Sequence, residues 1–355
     1  MNHDAKPPSA QPRDDPSVAV IVPVRNERLF IEDCVRALLG QRDLPPRYEV
    51  VVVDGMSDDG TREMLARLAA EEPRLRILDN LRRIVSTAMN TGIRATQSDV
   101  VIRVDGHARV APDFVRRNLE LLREHPEAWS VGGPIVHRGE NAVARGIAIA
   151  MTSRFGVGGP TFRREDYEGY TEGAQFPTFR REVFGKVGLF DEDLVRNQDD
   201  ELNFRITEAG GKIWVSPRVR YEYYVRGSLK DLFRQYQQYA YWKVEVMRKH
   251  RKVVKLRHLV PAIFVAGAPV CAVLAAFAPP PLSLAAGASL AAYGGLLVGF
   301  TAASVVRSKS LAVGVCAGAA AATLHVAYGL GTMIGLAAPP RASSATRAKM
   351  EKISR

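Results

Sequence analysis

The chain has 355 residues, and 49 Lys and Arg against 38 Asp and Glu give it a formal charge of +11. The basic excess sits in 243–258, at Arg307 and Lys309, and in 341–355, always beside apolar segments, whereas residues 1–242 are close to neutral. Charge placed there suits anionic lipid headgroups and argues against nucleic acid, whose grooves need basic side chains on the folded domain itself.

Residues 1–17 are polar and proline-rich, with no apolar core of a signal peptide, and read as a disordered leader. The run VAVIVPV (18–24) predicts a first strand, with helical spacing from Glu27 to Leu39. EVVVV (49–53) predicts a second strand ending at Asp54-Gly55, and a helix follows from Thr61. Residues 75–78 and 100–104 predict two more strands, separated by a helix over Thr87–Ala95. Pro112 stands where a further helix starts, since its fixed φ fits the first turn. This alternation predicts an α/β fold with a parallel sheet covered on both faces, and ligands in such sheets bind beyond the carboxyl ends of the strands. Asp54 and Asp105 stand at two such ends.

From 130 to 180 the pattern loosens and glycines cluster, which predicts loops around a cleft. A helix is expected from Asp200 to Ala209, and an aromatic, basic amphipathic helix over 228–250. Segments 259–281, 282–306 and 311–338 contain no Asp, Glu, Lys or Arg, and each exceeds the roughly 20 residues that cross a bilayer. The basic flank 243–258 is expected to stay cytoplasmic. Three full crossings would place the basic tail outside, so either the tail is translocated or one segment is re-entrant. Cys34, Cys271 and Cys316 have no partner at metal-ligand or redox spacing and read as small buried hydrophobes.

Four constellations carry chemistry. Asn26 and Glu27 follow Pro23-Val24 and could meet a ligand, or Asn26 could cap the next helix. Asp54 opens DGMSDDGT (54–61); its carboxylate could accept from a base or ribose, while Asp59 or Thr61 could cap a helix. Asp105 and His107, two residues apart, can share one divalent cation able to neutralise a diphosphate, and Gly106 permits close backbone approach. Gln198-Asp199-Asp200-Glu201 enters a helix, where a carboxylate either complements the helix dipole or takes a proton from an acceptor hydroxyl. Glu201 and Arg205, at i,i+4, are expected to form a surface pair. No Gly-x-Gly-x-x-Gly follows the first strand, which argues against a nicotinamide-dependent oxidoreductase. The apolar segments hold no Asp, Glu, Lys, Arg or His but His325, which argues against a transporter.

Across about 20–245 these residues resemble family 2 glycosyltransferases of the GT-A fold, nearest to the bacterial succinoglycan-type glucosyltransferases. VPVRNE (22–27) and DGMSDDGT are similar to that family's nucleotide-binding motifs, RVDGHA (103–108) to its metal motif, and TFRREVFGKVGLFDE (178–192) with NQDDELNFR (197–205) to its acceptor-side segment. QYAYW (238–242) is a loose relative of its Gln-x-x-Arg-Trp motif, with Tyr241 where Arg is usual, and Gln198 replaces a usual Glu. The resemblance implies a mixed sheet flanked by helices in a catalytic domain over 18–227, then an interfacial helix (228–258), about three transmembrane helices (259–338) and a basic tail (339–355). It implies a nucleotide-sugar site of Pro23, Val24, Asn26, Glu27, Asp54, Ser57, Arg83 and Asp105, with Mn2+ or Mg2+ on Asp105 and His107. Asp199 is the implied general base, with Asp200 as its alternative. The implied activity is inverting transfer from a nucleotide-sugar, a UDP-hexose, to a hydroxyl of a lipid-linked saccharide, at the inner (plasma) membrane with the catalytic domain cytoplasmic. The partners are then the donor, a saccharide acceptor and membrane lipids, without nucleic acid. A processive polysaccharide synthase and a non-catalytic, membrane-anchored nucleotide-binding protein are the alternatives.

Overall fold

The computed structural model describes residues 15–158, 164–224, 227–250 and 256–338. Most of the expected leader, part of the basic flank and the basic tail lie outside these residues. The chain forms two compact units, one of 1–136 with 160–223 and one of 137–159 with 224–354.

In the first unit, β1 (Val18–Val24), β2 (Tyr48–Asp54), β3 (Leu75–Asp79) and β4 (Val100–Arg103) alternate with α1 (Ile31–Leu39), α2 (Thr61–Glu71) and α3 (Val85–Ala95). There follow β5 (Arg109–Val110), α4 (Phe114–Glu124) and β6 (Ala128–Gly133), and the chain passes through β7 (His137–Arg138), α5 (Ala142–Thr152) and α6 (Arg154–Val157). It returns as β8 (Gly169–Thr171), β9 (Gln175–Arg180), α7 (Glu182–Val187), α8 (Gln198–Glu208), β10 (Lys212–Val215) and β11 (Tyr221–Tyr224). The main sheet has eight strands in the order β3-β2-β1-β4-β9-β6-β10-β8.

The pairs β1–β2, β1–β4 and β2–β3 are parallel, and β1–β2 runs in the register Val18–Tyr48 through Val24–Asp54. Successive side chains of a strand point to opposite faces, so a doubly covered strand must be apolar throughout. Val18, Val20, Val22, Val50 and Val52 accordingly pack with Ile31, Val35, Leu38, Leu65 and Phe114 on one face. Ile21, Val51 and Val53 pack with Met89, Ile93, Val183, Leu202 and Ile206 on the other. The sheet is not wholly parallel: β9 runs antiparallel between β4 and β6, and β8 runs antiparallel to β10. The expectation of loops over 130–180 is also corrected. That stretch holds much of β6, α5, α6, β8 and β9, and several of its glycines serve close packing. Gly146, for instance, lies so near Cys316 and Ala317 that a methyl group would clash with them.

The second unit is helical, with α5, α6, α9 (Leu229–Lys249), α10 (Leu256–Phe277), α11 (Leu282–Ser308) and α12 (Leu311–Ala337). Residues 137–159, expected within a continuous 18–227 segment, belong here. The stretches His258–Phe277, Leu282–Ser308 and Leu311–Ala337 are long and apolar enough to cross a membrane. The first two leave most of their surface uncovered, while α12 is nearly half buried within the protein. Ile147, Ala150, Met151, Leu232 and Tyr236 meet Ala320, Ala321, Leu324 and Ala327 of α12 in one cluster. The QYAYW stretch belongs to this packing, with Gln238, Ala240, Tyr241 and Trp242 all buried. His325 lies 2.7 Å from the Phe155 carbonyl oxygen through Nε2 and 3.1 Å from the Tyr293 hydroxyl through Nδ1. Both ring nitrogens are thereby satisfied, which marks it as a packed residue.

Candidate active site

The first constellation follows β1, where Asn26 takes a left-handed conformation (φ 56°) that turns the chain away from the sheet. Asn26 does not cap α1, whose N-cap position is Phe30 without a side-chain bond. It is instead tied to the second constellation. Its N–H donates to Ser57 Oγ (2.9 Å), its Nδ2 donates to Asp58 Oδ1 (2.9 Å), and its Oδ1 accepts from the Asp58 N–H (3.0 Å). The Glu27 N–H donates to Thr61 Oγ1 at 3.0 Å. Asp59 supports the first turn of α2 by accepting from the Thr61 N–H (3.0 Å) and hydroxyl (2.5 Å).

Asp54 ends β2 with no exposed surface. Its carboxylate accepts from the Ser57 N–H (3.0 Å), the Ser57 hydroxyl (2.5 Å) and Arg62 Nη1 (2.6 Å), and Arg62 also reaches Asp79 at 2.8 Å. A buried carboxylate needs such partners, and Asp54 thereby fixes the shape of the turn that carries Ser57. Pro23 and Val24 line up in register with Val53 and Asp54, and the Val24 carbonyl accepts from the Gly55 N–H at 2.8 Å. Arg83 stands exposed on the turn before α3 with φ 62°, and makes no side-chain hydrogen bond among the described residues.

The third constellation lies just beyond β4. Gly106 faces Val24, and a Cβ there would sit 2.6 Å from Val24 Cγ1, so only glycine lets this turn lie against β1. His107 Nδ1 is 3.0 Å from Glu27 Oε1, which joins the first and third constellations. Asp105 accepts from Arg103 Nε and Nη2, both at Oδ1, at 3.1 and 3.0 Å. Burial pushes the Asp105 carboxyl up, but the charges of Arg103, His107 and Arg196 outweigh it and hold its pKa below the usual value. Burial, reinforced by the Asp105 charge, pushes the neighbouring Cys34 thiol up to about 12.

The fourth constellation opens α8 after Asn197, another left-handed residue (φ 59°). Asp199 and Asp200 are exposed, and Asp199 Oδ1 accepts from the Asp200 N–H at 2.9 Å. Arg103 Nη1 lies 3.8 Å from Asp199 Oδ2, so one guanidinium stands beside both Asp105 and Asp199. The expected surface pair of Glu201 and Arg205 forms, but not at the surface. Glu201 is 2% exposed and takes two bonds of 2.8 Å from Arg205, which also donates to the carbonyls of Val187 and Leu189. Helical spacing correctly paired the two residues, but the cover supplied by 187–189 comes from outside the helix.

Contacts thus link Asn26 to Ser57 and Asp54, Glu27 to His107, and, through Arg103, Asp105 to Asp199; Arg62 holds Asp54, and neither arginine carries a role in the sequence motifs. Arg103 had a legible signal, since it stands two residues before Asp105 at a strand end, where i and i+2 share a face. Nothing in the sequence singles out Arg62. Among the described residues no cluster of three or more His, Cys, Asp or Glu side chains could hold a metal. Asp105 and His107 nevertheless fit a cation that takes its remaining ligands from phosphate oxygens. Asp105 Oδ2 accepts no hydrogen bond among the described residues. The imidazole is oriented by a carboxylate, as metal-ligating histidines usually are.

Residues 19–188 match the family described as Glycosyl transferase family 2. The chain is similar to the succinoglycan biosynthesis protein ExoA of Rhizobium meliloti, with 34% identity over 69% of this chain and 74% of that one. It is also similar to a dolichyl N-acetyl-alpha-D-glucosaminyl phosphate 3-beta-D-2,3-diacetamido-2,3-dideoxy-beta-D-glucuronosyltransferase of Methanococcus voltae, with 28% identity over 65% of this chain and 74% of that one. Among solved structures, the mannosyltransferase PcManGT from Pyrobaculum calidifontis, in complex with GDP-Man and Mn2+, shares the fold. Its TM-score is 0.62, at 24% identity over 90% of this chain and 89% of that one. With a GT-A-like mixed sheet and a relative this similar over most of both lengths, the chain belongs to glycosyl transferase family 2 and is a glycosyltransferase.

Proposed function

We propose that the protein catalyses inverting transfer of a hexose from a nucleoside diphospho-sugar, a UDP-hexose, to a hydroxyl of a lipid-linked saccharide. The reaction would serve extracellular polysaccharide or glycoconjugate synthesis. The observation that carries this reading is that three distant motifs make contact beyond the end of β4: Glu27 with His107, and Asp105 with Asp199 by way of Arg103. Asp199, half exposed, takes the proton of the acceptor hydroxyl. The acceptor oxygen forms its bond to the anomeric carbon as the bond from that carbon to the diphosphate breaks on the opposite face, and the nucleoside diphosphate leaves. Pro23, Val24, Asn26, Glu27, Asp54, Ser57 and Arg83 form the nucleotide side. Asp105 and His107 would hold Mn2+ or Mg2+, whose charge offsets that of the departing diphosphate.

The relative named for succinoglycan biosynthesis supports a polysaccharide product, and GDP-Man with Mn2+ in the Pyrobaculum enzyme supports a nucleotide-sugar and a cation. The apolar helices with their basic flanks support a multi-pass protein of the inner membrane, a cytoplasmic catalytic segment over 18–227 and an interfacial stretch over 228–258. The test is UDP release by detergent-purified protein from UDP-glucose, UDP-galactose and UDP-N-acetylglucosamine, with Mn2+ and with EDTA. Release from one donor that EDTA abolishes is expected, and Asp199→Asn should fold while losing about 10²–10⁴-fold in kcat. EDTA-resistant release would count against the cation, and an active Asp199→Asn against the base.

A further inference from the structure

Arg103 is the last residue of β4, and its side chain is only 10% exposed. Two of its nitrogens converge on one oxygen, Asp105 Oδ1, and the third, Nη1, is 3.8 Å from Asp199 Oδ2. A guanidinium stays protonated at any working pH, so this is a permanent positive charge beside a carboxylate read here as a cation ligand. Two like charges at such distances, away from bulk water, repel strongly. A donor diphosphate brings compensating negative charge, which a free enzyme lacks.

We propose that Arg103 is a positioning residue with two effects: it makes cation binding at Asp105 conditional on the nucleotide diphosphate, and it holds Asp199 in register with Asp105. The inference rests on the reading of Asp105 and His107 as cation ligands. The two hydrogen bonds to Oδ1 fix the Asp105 rotamer and leave Oδ2 as its metal-facing oxygen. The same buried fork limits how far Asp199, at the mouth of α8, can move from the reacting centre. A planar fork does both, whereas a lysine ammonium supplies the charge without the geometry.

The experiment measures Mn2+ affinity by calorimetry, with and without UDP, in the detergent-solubilised full chain carrying Arg103→Met or Arg103→Lys, alongside kcat and donor KM. In Arg103→Met, Mn2+ should bind about tenfold more tightly without UDP, since a nearby like charge is gone. In the same variant kcat should fall about 10²-fold while donor KM changes less than about threefold, the pattern of a lost transition-state arrangement. Arg103→Lys should keep the weak Mn2+ binding of the wild type but lose kcat. A merely structural arginine predicts otherwise: Mn2+ affinity in Arg103→Met unchanged or weakened, with a lower Tm, and that result overturns the proposal. Wild-type kcat in either variant also overturns it. If Arg103→Met does not fold, Arg103→Lys decides: kcat should fall with Tm and Mn2+ affinity unchanged, and wild-type kcat or a lowered Tm overturns the proposal. Asp105→Asn separates the two readings, because undiminished Mn2+ binding with UDP in that variant removes the cation site and the role of Arg103 together.

Discussion

His107 Nδ1 lies 3.0 Å from Glu27 Oε1, a contact between residues that follow two different parallel strands. A carboxylate accepts from Nδ1–H, so in the neutral imidazole this contact favours the proton on Nδ1 and the lone pair on Nε2. That is the tautomer which the proposed cation site would need at Nε2. Glu27→Gln should weaken Mn2+ binding in the presence of UDP by about 10–100-fold, the usual cost of losing an outer partner of a ligating histidine. Calorimetry with UDP checks it; unchanged affinity would mean that His107 is oriented by something else.

Asp54 holds Ser57 and Arg62 from a fully buried position, so it has a structural duty besides any contact with a nucleotide. Breaking a buried charged pair costs about 3–5 kcal/mol, and because Arg62 is 37% exposed, a figure of about 2 kcal/mol is the better expectation for Asp54→Ala. Denaturant melts should show that loss alongside weaker UDP binding. A variant with wild-type stability and impaired binding would assign Asp54 to the ligand alone.

Gly106→Ala puts a methyl group 2.6 Å from Val24 Cγ1, in a turn whose neighbours on both sides are Asp105 and His107. Overpacking of this kind costs about 1–3 kcal/mol, and relief by shifting the turn would displace both side chains. Turnover should therefore fall further than the change in Tm accounts for. Equal activity at a temperature well below Tm would show that Val24 yields instead of the turn.

Glu192 is clasped by Asn90 (2.9 Å), Arg82 (2.8 Å) and Arg94 (3.3 Å), fastening the loop that leads to Asp199 onto α3. The Asn90 hydrogen bond and the charges of Arg94 and Arg82 hold its carboxyl below the usual glutamate value. A carboxyl with a depressed folded pKa binds protons more readily when unfolded. Its contribution is therefore present above the unfolded value of about 4.5 and is lost as pH falls through the lower folded value. The Tm of the wild type should exceed that of Glu192→Gln at pH 7, and the gap should close towards pH 3. A gap independent of pH would mean that the clasp works by shape and not by charge.

The elements whose burial is complete follow from the order of residues along the chain. VAVIVPV and EVVVV had to be covered strands because a run apolar on both faces has no other stable place in an α/β protein, and the three long uncharged segments had to be helices of membrane-crossing length. The motif residues Asn26, Asp54, Asp105 and Asp199 were also legible, since each stands at a strand end or helix start where composition marks a break. What those residues touch depends instead on how distant segments pack. The antiparallel insertion of β9 between β4 and β6 depends on pairing energies between distant segments, which no local period reports. The burial of Glu201 with Arg205 depends on 187–189 closing over them, and the helical order of 142–157 on α12 receiving its small-residue face. Arg103 looked like the end of a strand until the sheet order brought α8 beside it. Its charge then acquired two carboxylates, because strand order, and not spacing along the chain, sets which side chains share the C-terminal edge of the sheet.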